Sequence, residues 1–289
     1  MGKIIFSIDS ACDIPQSLID AHGLYVVNFP ISMGDKTYTD RVDITPEMIY
    51  EFAARTKKTP KTSAVNAQEF TEHFTAVRKK EGNHPIIHIS IGTEFSLTYK
   101  NALDAAADMQ DIHILDSASL SSGIALLVLY AVDLAKEGKS VQEIKDLCQK
   151  KAHISPFGIQ ASFVLETLDF LYKGGRCSAL KLLGANLLKI RPTIGVVDGK
   201  MKPVYKKDKG KMSEAVKKYI YRLKDEYGGK IDLTRAFVTH TVSDPGFEDE
   251  ALAITKELFG FKEVHHQIAG STITTHCGKN TLGVLFLLK

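Results

Sequence analysis

The chain has 289 residues, of which 44% are hydrophobic and 25% charged, and its formal net charge is +3. This composition is typical of a soluble globular protein with one large or two smaller domains, and nothing in the overall charge favours nucleic-acid binding. The four cysteines form no C-x-x-C pair, so we expect thiols in a reducing, cytoplasmic compartment.

The first half of the chain alternates between apolar runs of strand length and longer segments of helical period. Strands are predicted at Lys3 to Ile8, Leu24 to Phe29, Pro85 to Ser90 and Ile112 to Leu115. Helices are predicted at Pro15 to His22, Pro46 to Arg55, Ala67 to Lys80, Ser96 to Met109, Leu120 to Lys136 and Val141 to Lys151. This alternation predicts a parallel sheet with helices on both faces. The apolar stretch from Ile124 to Ala135 is too short to span a bilayer, so we predict a buried helix and no integral membrane segment.

The pattern changes near residue 157, where we place a domain boundary. Residues 1–157 are predicted to form an N-terminal α/β/α domain, and residues 158–289 a C-terminal α/β domain with a mixed sheet. Asp198-Gly199 is the signature of a tight hairpin turn between Thr193 to Val197 and Met201 to Tyr205. The remaining predicted elements are strands at Gly158 to Leu165, Leu233 to His240, Glu263 to Ala269 and Thr281 to Leu288, and a helix at Ser178 to Lys189.

Three segments rich in hydroxyl groups are the most informative feature of the chain. They are Pro60-Lys61-Thr62-Ser63, Thr93-Glu94-Phe95-Ser96 and Thr274-Thr275-His276, and we interpret all three as loops. Hydroxyls and one imidazole at the mouth of an apolar interior suit the binding of a carboxylate better than catalysis on it. Each hydroxyl alone is also typical of a helix N-cap, and a lone histidine can be a core residue. The chain contains no G-x-S-x-G, G-x-G-x-x-G, Walker or H-E-x-x-H motif.

Four other polar segments have two interpretations each. Asp9-Ser10-Ala11-Cys12-Asp13 and Asp116-Ser117 follow predicted strands, where ligands bind in open parallel sheets. Their commoner role is helix capping, by Ser10 with Asp13 and by Ser117 or Ser119. The glycines of Lys173-Gly174-Gly175-Arg176 either end a short helix or hold a turn that offers Arg176 to an anion or a partner. The six lysines between Lys200 and Lys211 form a solvated basic face or a docking surface.

Taken together and in order, these segments resemble the DegV family, the fatty-acid-binding proteins of bacterial fatty acid kinase systems. The resemblance runs almost from end to end. It rests on Asp9-Ser10 with Asp13, Val26 to Pro30 with Tyr38-Thr39-Asp40, Pro60-Lys61-Thr62-Ser63, Ser96 with Thr98-Tyr99, Asp116-Ser117, Lys173-Gly174-Gly175-Arg176, Arg191-Pro192, and Thr275-His276 with Gly278.

The resemblance implies a DegV-like fold of two α/β domains with a ligand tunnel between them. A long-chain fatty acid would lie in the tunnel as the ligand, without any other cofactor. Its carboxylate would be held by Thr62, Ser63, Ser96, Thr275 and His276. The resemblance further implies no catalytic residue in this chain, because a separate fatty acid kinase phosphorylates the bound carboxylate. Arg176 would help that kinase to dock.

The sequence departs from the family pattern at three places. Leu97 stands where a glycine usually follows the serine, and Lys279-Asn280 replace small residues after the histidine and glycine. Lys206, Lys207 or Asp208 stands where an arginine often follows the hairpin. The first two bear on the geometry of the head-group site, and the third bears on the kinase partner.

Two other functions are compatible with the residues. A lipid esterase or hydrolase would use Ser96 and His276, and it would also need an acid to orient the imidazole and an oxyanion hole. A regulatory module would use the lysine-rich face of the second half to bind a protein or an anionic surface.

Overall fold

The computed structural model describes residues 2–153, 158–176, 190–205 and 208–289. The strands of the first sheet are β1 (Ile5–Asp9), β2 (Tyr25–Val27), β6 (Ile86–Ser90) and β7 (Ile112–Asp116). The sheet is parallel throughout, as predicted, and has the strand order β2-β1-β6-β7. The helices of this half are α1 (Gln16–His22), α2 (Pro46–Thr56), α3 (Ala67–Glu81), α4 (Thr98–Ala106), α5 (Ser122–Lys136) and α6 (Val141–His153).

A small antiparallel sheet lies beside the first one and was not predicted. It contains β3 (Pro30–Met33), β4 (Lys36–Thr39) and β5 (Lys61–Thr62), with β3 in the middle. Pairing of Ile31 with Thr62 fixes the position of β5. Thr62 is therefore a strand residue and not part of a loop.

The strands of the second large sheet are β8 (Ile159–Gln160), β9 (Ser162–Val164), β11 (Thr193–Val197), β12 (Lys200–Pro203), β14 (Ile231–His240), β15 (Glu263–Ile268) and β16 (Leu282–Leu288). The sheet is mixed, as predicted, and has the order β12-β11-β9-β16-β14-β15, with β8 also paired to β16. Among these described strands, β14 and β15 pair in parallel and the other pairs are antiparallel. Asp198 and Gly199, both with positive φ, form the predicted turn between β11 and β12.

Four helices and a two-stranded sheet complete the described part of the second half. They are α7 (Asp169–Gly174), α8 (Met212–Tyr227), α9 (Phe247–Phe259), α10 (Ser271–Cys277), β10 (Ile190–Arg191) and β13 (Asp208–Lys209), with a 3₁₀ turn at Gly228–Lys230. The prediction of a loop around Thr274 to His276 was wrong, because these residues lie in α10. The helix predicted at Ser178 to Lys189 lies outside the described residues, as does the segment 154–157 next to the predicted domain boundary, which stays a prediction.

Helix α5 lies between the two large sheets and is buried on nearly all sides. Its contacts include β1 and β6 of the first sheet and β14 and β16 of the second. Eleven of its fifteen residues are buried, which confirms the prediction of a buried helix. One apolar cluster therefore continues from Ile8 and Ile87 through α5 to Phe237 and Leu285.

The predicted helix caps were mostly wrong. Helix α1 has Pro15 at its N-cap and no side-chain cap, and α5 has Ser121 there, also without a cap hydrogen bond. Ser10 and Asp13 instead hydrogen-bond to distant segments. Helix α3 is capped by Asn66 in a capping box with Glu69, and not by Thr62 or Ser63. The interpretation that the glycines of Lys173-Gly174-Gly175-Arg176 end a short helix is confirmed, because Gly175 ends α7 in the left-handed conformation.

Candidate functional site

A chamber between the two halves, the head chamber, collects most of the predicted site residues. Its lining includes Thr62, Ser63, Ser96, Arg176 and His276. Its walls are otherwise mainly apolar: Phe29, Ile91, Phe95, Leu120, Met201 and Ile273. The chamber has a volume of about 40 Å³. The structure thus brings together residues from β5, from the loop after β6 and from α10.

His276 and Thr62 are in direct contact in this chamber. His276 Nε2 lies 2.9 Å from Thr62 Oγ1, although the residues are 214 positions apart. Burial, with a smaller contribution from the Arg176 guanidinium, lowers the pKa of His276 from 6.5 to about 4. The imidazole is therefore neutral at physiological pH, with one nitrogen as donor and the other as acceptor.

Helix α7 holds the other edge of the imidazole. His276 Nδ1 is buried and has no hydrogen-bond partner. A Cβ on Gly174 would lie 2.3 Å from that atom. Only glycine at this position leaves room for the ring, which gives Gly174 a packing role that the sequence did not reveal.

Helix α10 is tied to the first half of the chain by two buried carboxyl groups. The Gly270 N–H donates to Asp13 Oδ1 at 2.7 Å, and Thr272 Oγ1 donates to Asp40 Oδ2 at 2.6 Å. Ser10 Oγ also donates to Asp40 Oδ2, at 2.9 Å. These contacts fix the start of the helix that carries His276, and they explain why Ser10 and Asp13 are not caps.

The other predicted head-group residues differ in how available they are. Ser63 is exposed at the chamber rim. Ser96 Oγ lies 2.7 Å from Thr98 Oγ1 and accepts the Thr98 N–H at 3.2 Å. Thr275 is buried and donates to Ser271 O at 2.9 Å, and it is not among the side chains that line the chamber. Its hydroxyl is committed to the helix backbone.

Arg176 lies at the mouth of the head chamber. Its Nη1 donates to Gly174 O at 2.7 Å, and its Nε lies 3.5 Å from Phe95 O. The side chain is exposed, yet it forms part of the chamber wall. A molecule docked outside the chamber would meet this guanidinium.

A second chamber, the tail chamber, adjoins the head chamber. The two share Leu120, Ile273 and Cys277 as walls, and the tail chamber has a volume of about 30 Å³. Several polar residues line it, but their polar atoms already bond to side chains outside the chamber or to the backbone. Thr239 Oγ1 lies 2.6 Å from Ser122 Oγ, and Thr281 Oγ1 donates to Cys277 O at 3.0 Å. The chamber therefore offers mainly carbon surface to a ligand.

The geometry does not assemble a catalytic triad from the described residues. The Ser96 hydroxyl contacts Thr98 and the His276 imidazole contacts Thr62, while no carboxylate bonds to His276 Nδ1. Within the described ranges no group of three or more His, Cys, Asp or Glu side chains is arranged to hold a metal ion. In the same ranges no helix combines the length and apolarity of a membrane span.

The model of the DegV family, described as uncharacterised proteins, matches residues 3–289. The chain belongs to the DegV family. A DegV domain-containing protein of Caldanaerobacter subterraneus subsp. tengcongensis is 31% identical over 289 residues, with 99% of each chain covered. A DegV domain-containing protein of Clostridium acetobutylicum is 30% identical over 296 residues, with 100% of each chain covered.

Solved structures share the fold of this chain over at least 99% of its length. A Thermus thermophilus family member, described for its fatty acid binding, has a TM-score of 0.86 at 21% identity, with both chains covered in full. Bacillus subtilis DegV, described as a fatty acid binding protein, has a TM-score of 0.82 at 23% identity and 99% coverage of both chains. A stearic acid-binding protein from Eubacterium ventriosum has a TM-score of 0.82 at 21% identity, also with 99% of both covered. The DegV-like α/β fold is thereby confirmed.

Proposed function

We propose that this protein binds one long-chain fatty acid, with the carboxylate in the head chamber and the alkyl chain in the tail chamber. The contact between Thr62 and His276, at the polar end of two adjoining and mainly apolar chambers, is the observation that carries the proposal. Ser63 and Ser96 line the same chamber and supply further hydroxyl donors. Thr275 would support the site through α10, since its hydroxyl is bonded to Ser271 O.

The two chambers would contribute differently to affinity. Burial of a methylene group is worth about 0.8 kcal/mol, so a tail of roughly fifteen gives on the order of 12 kcal/mol before the costs of association. A hydrogen bond to a charged group contributes about 1.5–3 kcal/mol. The tail would supply most of the affinity, and the hydroxyls and imidazole would set the position and orientation of the carboxylate.

The site suits presentation of the carboxylate and not its chemical conversion by this chain. Hydroxyl and imidazole donors hold a carboxylate without enclosing it in a bidentate arginine clamp. We therefore propose that a partner kinase phosphorylates the bound carboxylate to an acyl phosphate, and that the exposed Arg176 at the chamber mouth helps it to dock.

Mass spectrometry of an organic extract of the purified protein, with fatty acid titration, tests the binding function. We expect close to one fatty acid per chain. Thr62→Val keeps the side-chain shape but removes the hydroxyl, and His276→Ala removes the imidazole; each should weaken binding about tenfold. Arg176→Ala should leave lipid binding intact and slow phosphorylation by a fatty acid kinase.

Three outcomes would contradict parts of the proposal. An empty protein that also refuses added fatty acid would remove the binding function. Full affinity in His276→Ala would remove the assigned role of the imidazole, and lost lipid binding in Arg176→Ala would make that residue a ligand contact. Ester hydrolysis abolished by Ser96→Ala would favour the esterase.

A further inference from the structure

Two histidines meet near the carboxyl ends of the parallel strands β14 and β15. His266 pairs with Val238, two residues before His240, so the two imidazoles lie on the same face of the sheet. Val238 packs in one cluster with Ala251 of α9, so this is the face that α9 covers. His240 is 3% exposed, whereas His266 is exposed to solvent. A buried imidazole is thus reached from the surface through a second one.

The two rings point at each other through the same kind of nitrogen. His240 Nε2 lies 2.7 Å from His266 Nε2, and the ring planes are within 11° of parallel. The ring centroids are 4.8 Å apart, a separation that only an edge-to-edge arrangement combines with so short a contact. The rings are therefore nearly coplanar and their Nε2 atoms face each other.

The hydrogen bonds of His240 determine which nitrogen carries its proton. His240 Nδ1 lies 2.7 Å from Thr241 O, and a carbonyl oxygen can only accept. Nδ1 is therefore the donor, and Nε2 of the neutral ring has the lone pair. His266 donates its Nε2 proton to that lone pair, which leaves its own Nδ1 as the acceptor.

Further contacts hold the His240 ring on its Nδ1 side. Ser243 Oγ lies 3.3 Å from His240 Nδ1 and donates to Glu248 Oε2 at 2.6 Å. Glu248 and Asp249 are in the first turn of α9. An imidazole whose Nδ1 proton is held by a backbone carbonyl, with a carboxylate behind it, has the orientation that metal-ligating histidines usually have. His240 Nε2 is thus preorganised as a ligand.

We propose that His240 and His266 bind one divalent transition-metal ion of the zinc, copper and nickel class through their Nε2 atoms. Imidazole nitrogen suits these ions, whereas calcium and magnesium prefer oxygen ligands. Because the described ranges hold no third His, Cys, Asp or Glu side chain arranged around the pair, solvent would complete the coordination. The site is separate from the head chamber and does not depend on fatty-acid binding.

A small movement of His266 is enough to admit the ion. Zinc lies about 2.0–2.1 Å from imidazole nitrogen, and tetrahedral geometry places two such nitrogens about 3.3 Å apart. The two Nε2 atoms, now 2.7 Å apart, would separate by about 0.6 Å. His266 is exposed and can turn outward, and solvent can move its proton from Nε2 to Nδ1. Both Nε2 lone pairs then face the ion, without net loss of a proton.

Cobalt titration of the full chain tests the site. The protein is prepared without a histidine tag and treated with a chelator, and Co²⁺ binding is followed by its visible absorption. We expect one Co²⁺ per chain, displaced by Zn²⁺ and not by Mg²⁺. Zn²⁺ should also raise the midpoint of thermal unfolding, because it binds the folded chain in preference to the unfolded one.

His266→Ala places the ion on the named atoms. The residue is exposed, so the fold should be retained, and the variant should bind Co²⁺ at least tenfold more weakly and lose the response of thermal unfolding to Zn²⁺. His240→Gln, which removes the buried ligand, should have the same effect on Co²⁺ binding. His153→Ala, an exposed histidine at the end of α6, is the matched control and should bind Co²⁺ as the wild type does.

The results are independent of those for the proposed function. A wild-type protein that gives no Co²⁺ absorption and no response of unfolding to Zn²⁺ would overturn the inference, because the two imidazoles would then only hydrogen-bond to each other. Wild-type Co²⁺ affinity in His266→Ala would also overturn it, because the ion would bind elsewhere. Fatty-acid titration of the metal-free protein measures the proposed function separately, and His266→Ala should leave that affinity unchanged.

Discussion

The position of the His276 imidazole depends on Gly174, a neighbour without a side chain. The imidazole contacts Thr62 on one edge, and its Nδ1 edge packs on the Cα of Gly174 in α7. Because Nδ1 has no partner and Nε2 has one, the ring position is set by shape on one side and by a hydrogen bond on the other. A small change at Gly174 should therefore act on the site as strongly as a change at Thr62.

We expect Gly174→Ala to weaken fatty-acid binding about tenfold, because the new methyl would displace the imidazole from Thr62. Alanine is also the better helix former by roughly 0.5–1 kcal/mol, so thermal stability should fall little or not at all. Titration with a fatty acid and a thermal melt measure the two effects separately.

Gly229→Ala is the matched control, since a Cβ there meets nothing within 4 Å. It should leave affinity unchanged. Wild-type affinity in Gly174→Ala would show that the ring moves aside without loss, and that its position is not set by α7.

At the scale of the element, α10 forms because of its surroundings and not because of its sequence. Its seven residues include three threonines and an isoleucine, which are β-branched and poor helix formers. Asp13 and Asp40 from the first half of the chain hold its first turn. Helix α10, which carries the imidazole, is thus stabilised by residues from the first half of the chain.

Thr272→Val should loosen α10 selectively. The substitution keeps the side-chain shape but removes the hydroxyl that donates to Asp40. Because the buried Asp40 carboxyl then has one hydrogen bond fewer, the free energy of unfolding should fall by about 1–3 kcal/mol. We expect faster amide hydrogen exchange in α10 and a several-fold loss of fatty-acid affinity. Thr255→Val, whose buried hydroxyl bonds only within α9, is the control and should leave both unchanged. Unchanged exchange in α10 would show that Asp40 does not hold this helix.

This helix also shows why the sequence predicted some elements and not others. The strands of the first sheet and α5 have strong apolar periodicity, so their existence and type follow from local pattern. Helix α10 and the roles of Asp13 and Asp40 depend on partners more than 220 residues away. From the local sequence alone, such hydroxyls and carboxyls were predicted to cap helix N-termini, which is their commonest role. The family resemblance predicted that Thr62, Ser63, Ser96 and His276 would lie in one chamber, whereas nothing in the sequence indicated the packing of Gly174 against the imidazole.

At the scale of the whole molecule, the seam between the halves contains carboxyl groups that are costly to ionise. Burial raises the pKa of Asp13 from 3.8 to about 7, and it raises the pKa of Asp40 as well. Burial acts in the opposite direction on histidines, lowering the pKa of His73 and of His276 from 6.5 to about 4. Stability should therefore respond to pH in two opposing ways.

The two responses overlap between about pH 4 and pH 7. Because folding raises the pKa of Asp13, its contribution to stability is present below 3.8 and is lost as the pH rises through about 7. The contribution of His73 is present above 6.5 and is lost as the pH falls through about 4. In the wild-type protein these terms partly cancel, which flattens the dependence of the unfolding free energy on pH.

Asp13→Asn should remove the pH response that comes from Asp13 and leave the one that comes from His73. An asparagine can still accept the Gly270 N–H through its carbonyl and can donate to Ser121, which now donates to Asp13. We expect the unfolding free energy of the variant, minus that of the wild type, to rise between about pH 4 and pH 7 by up to a few kcal/mol. Urea titrations across that range measure it, with the exposed Asp108→Asn as a control whose difference should stay constant. A constant difference for Asp13→Asn would mean that folding does not change the pKa of this carboxyl, and that the seam tolerates its charge.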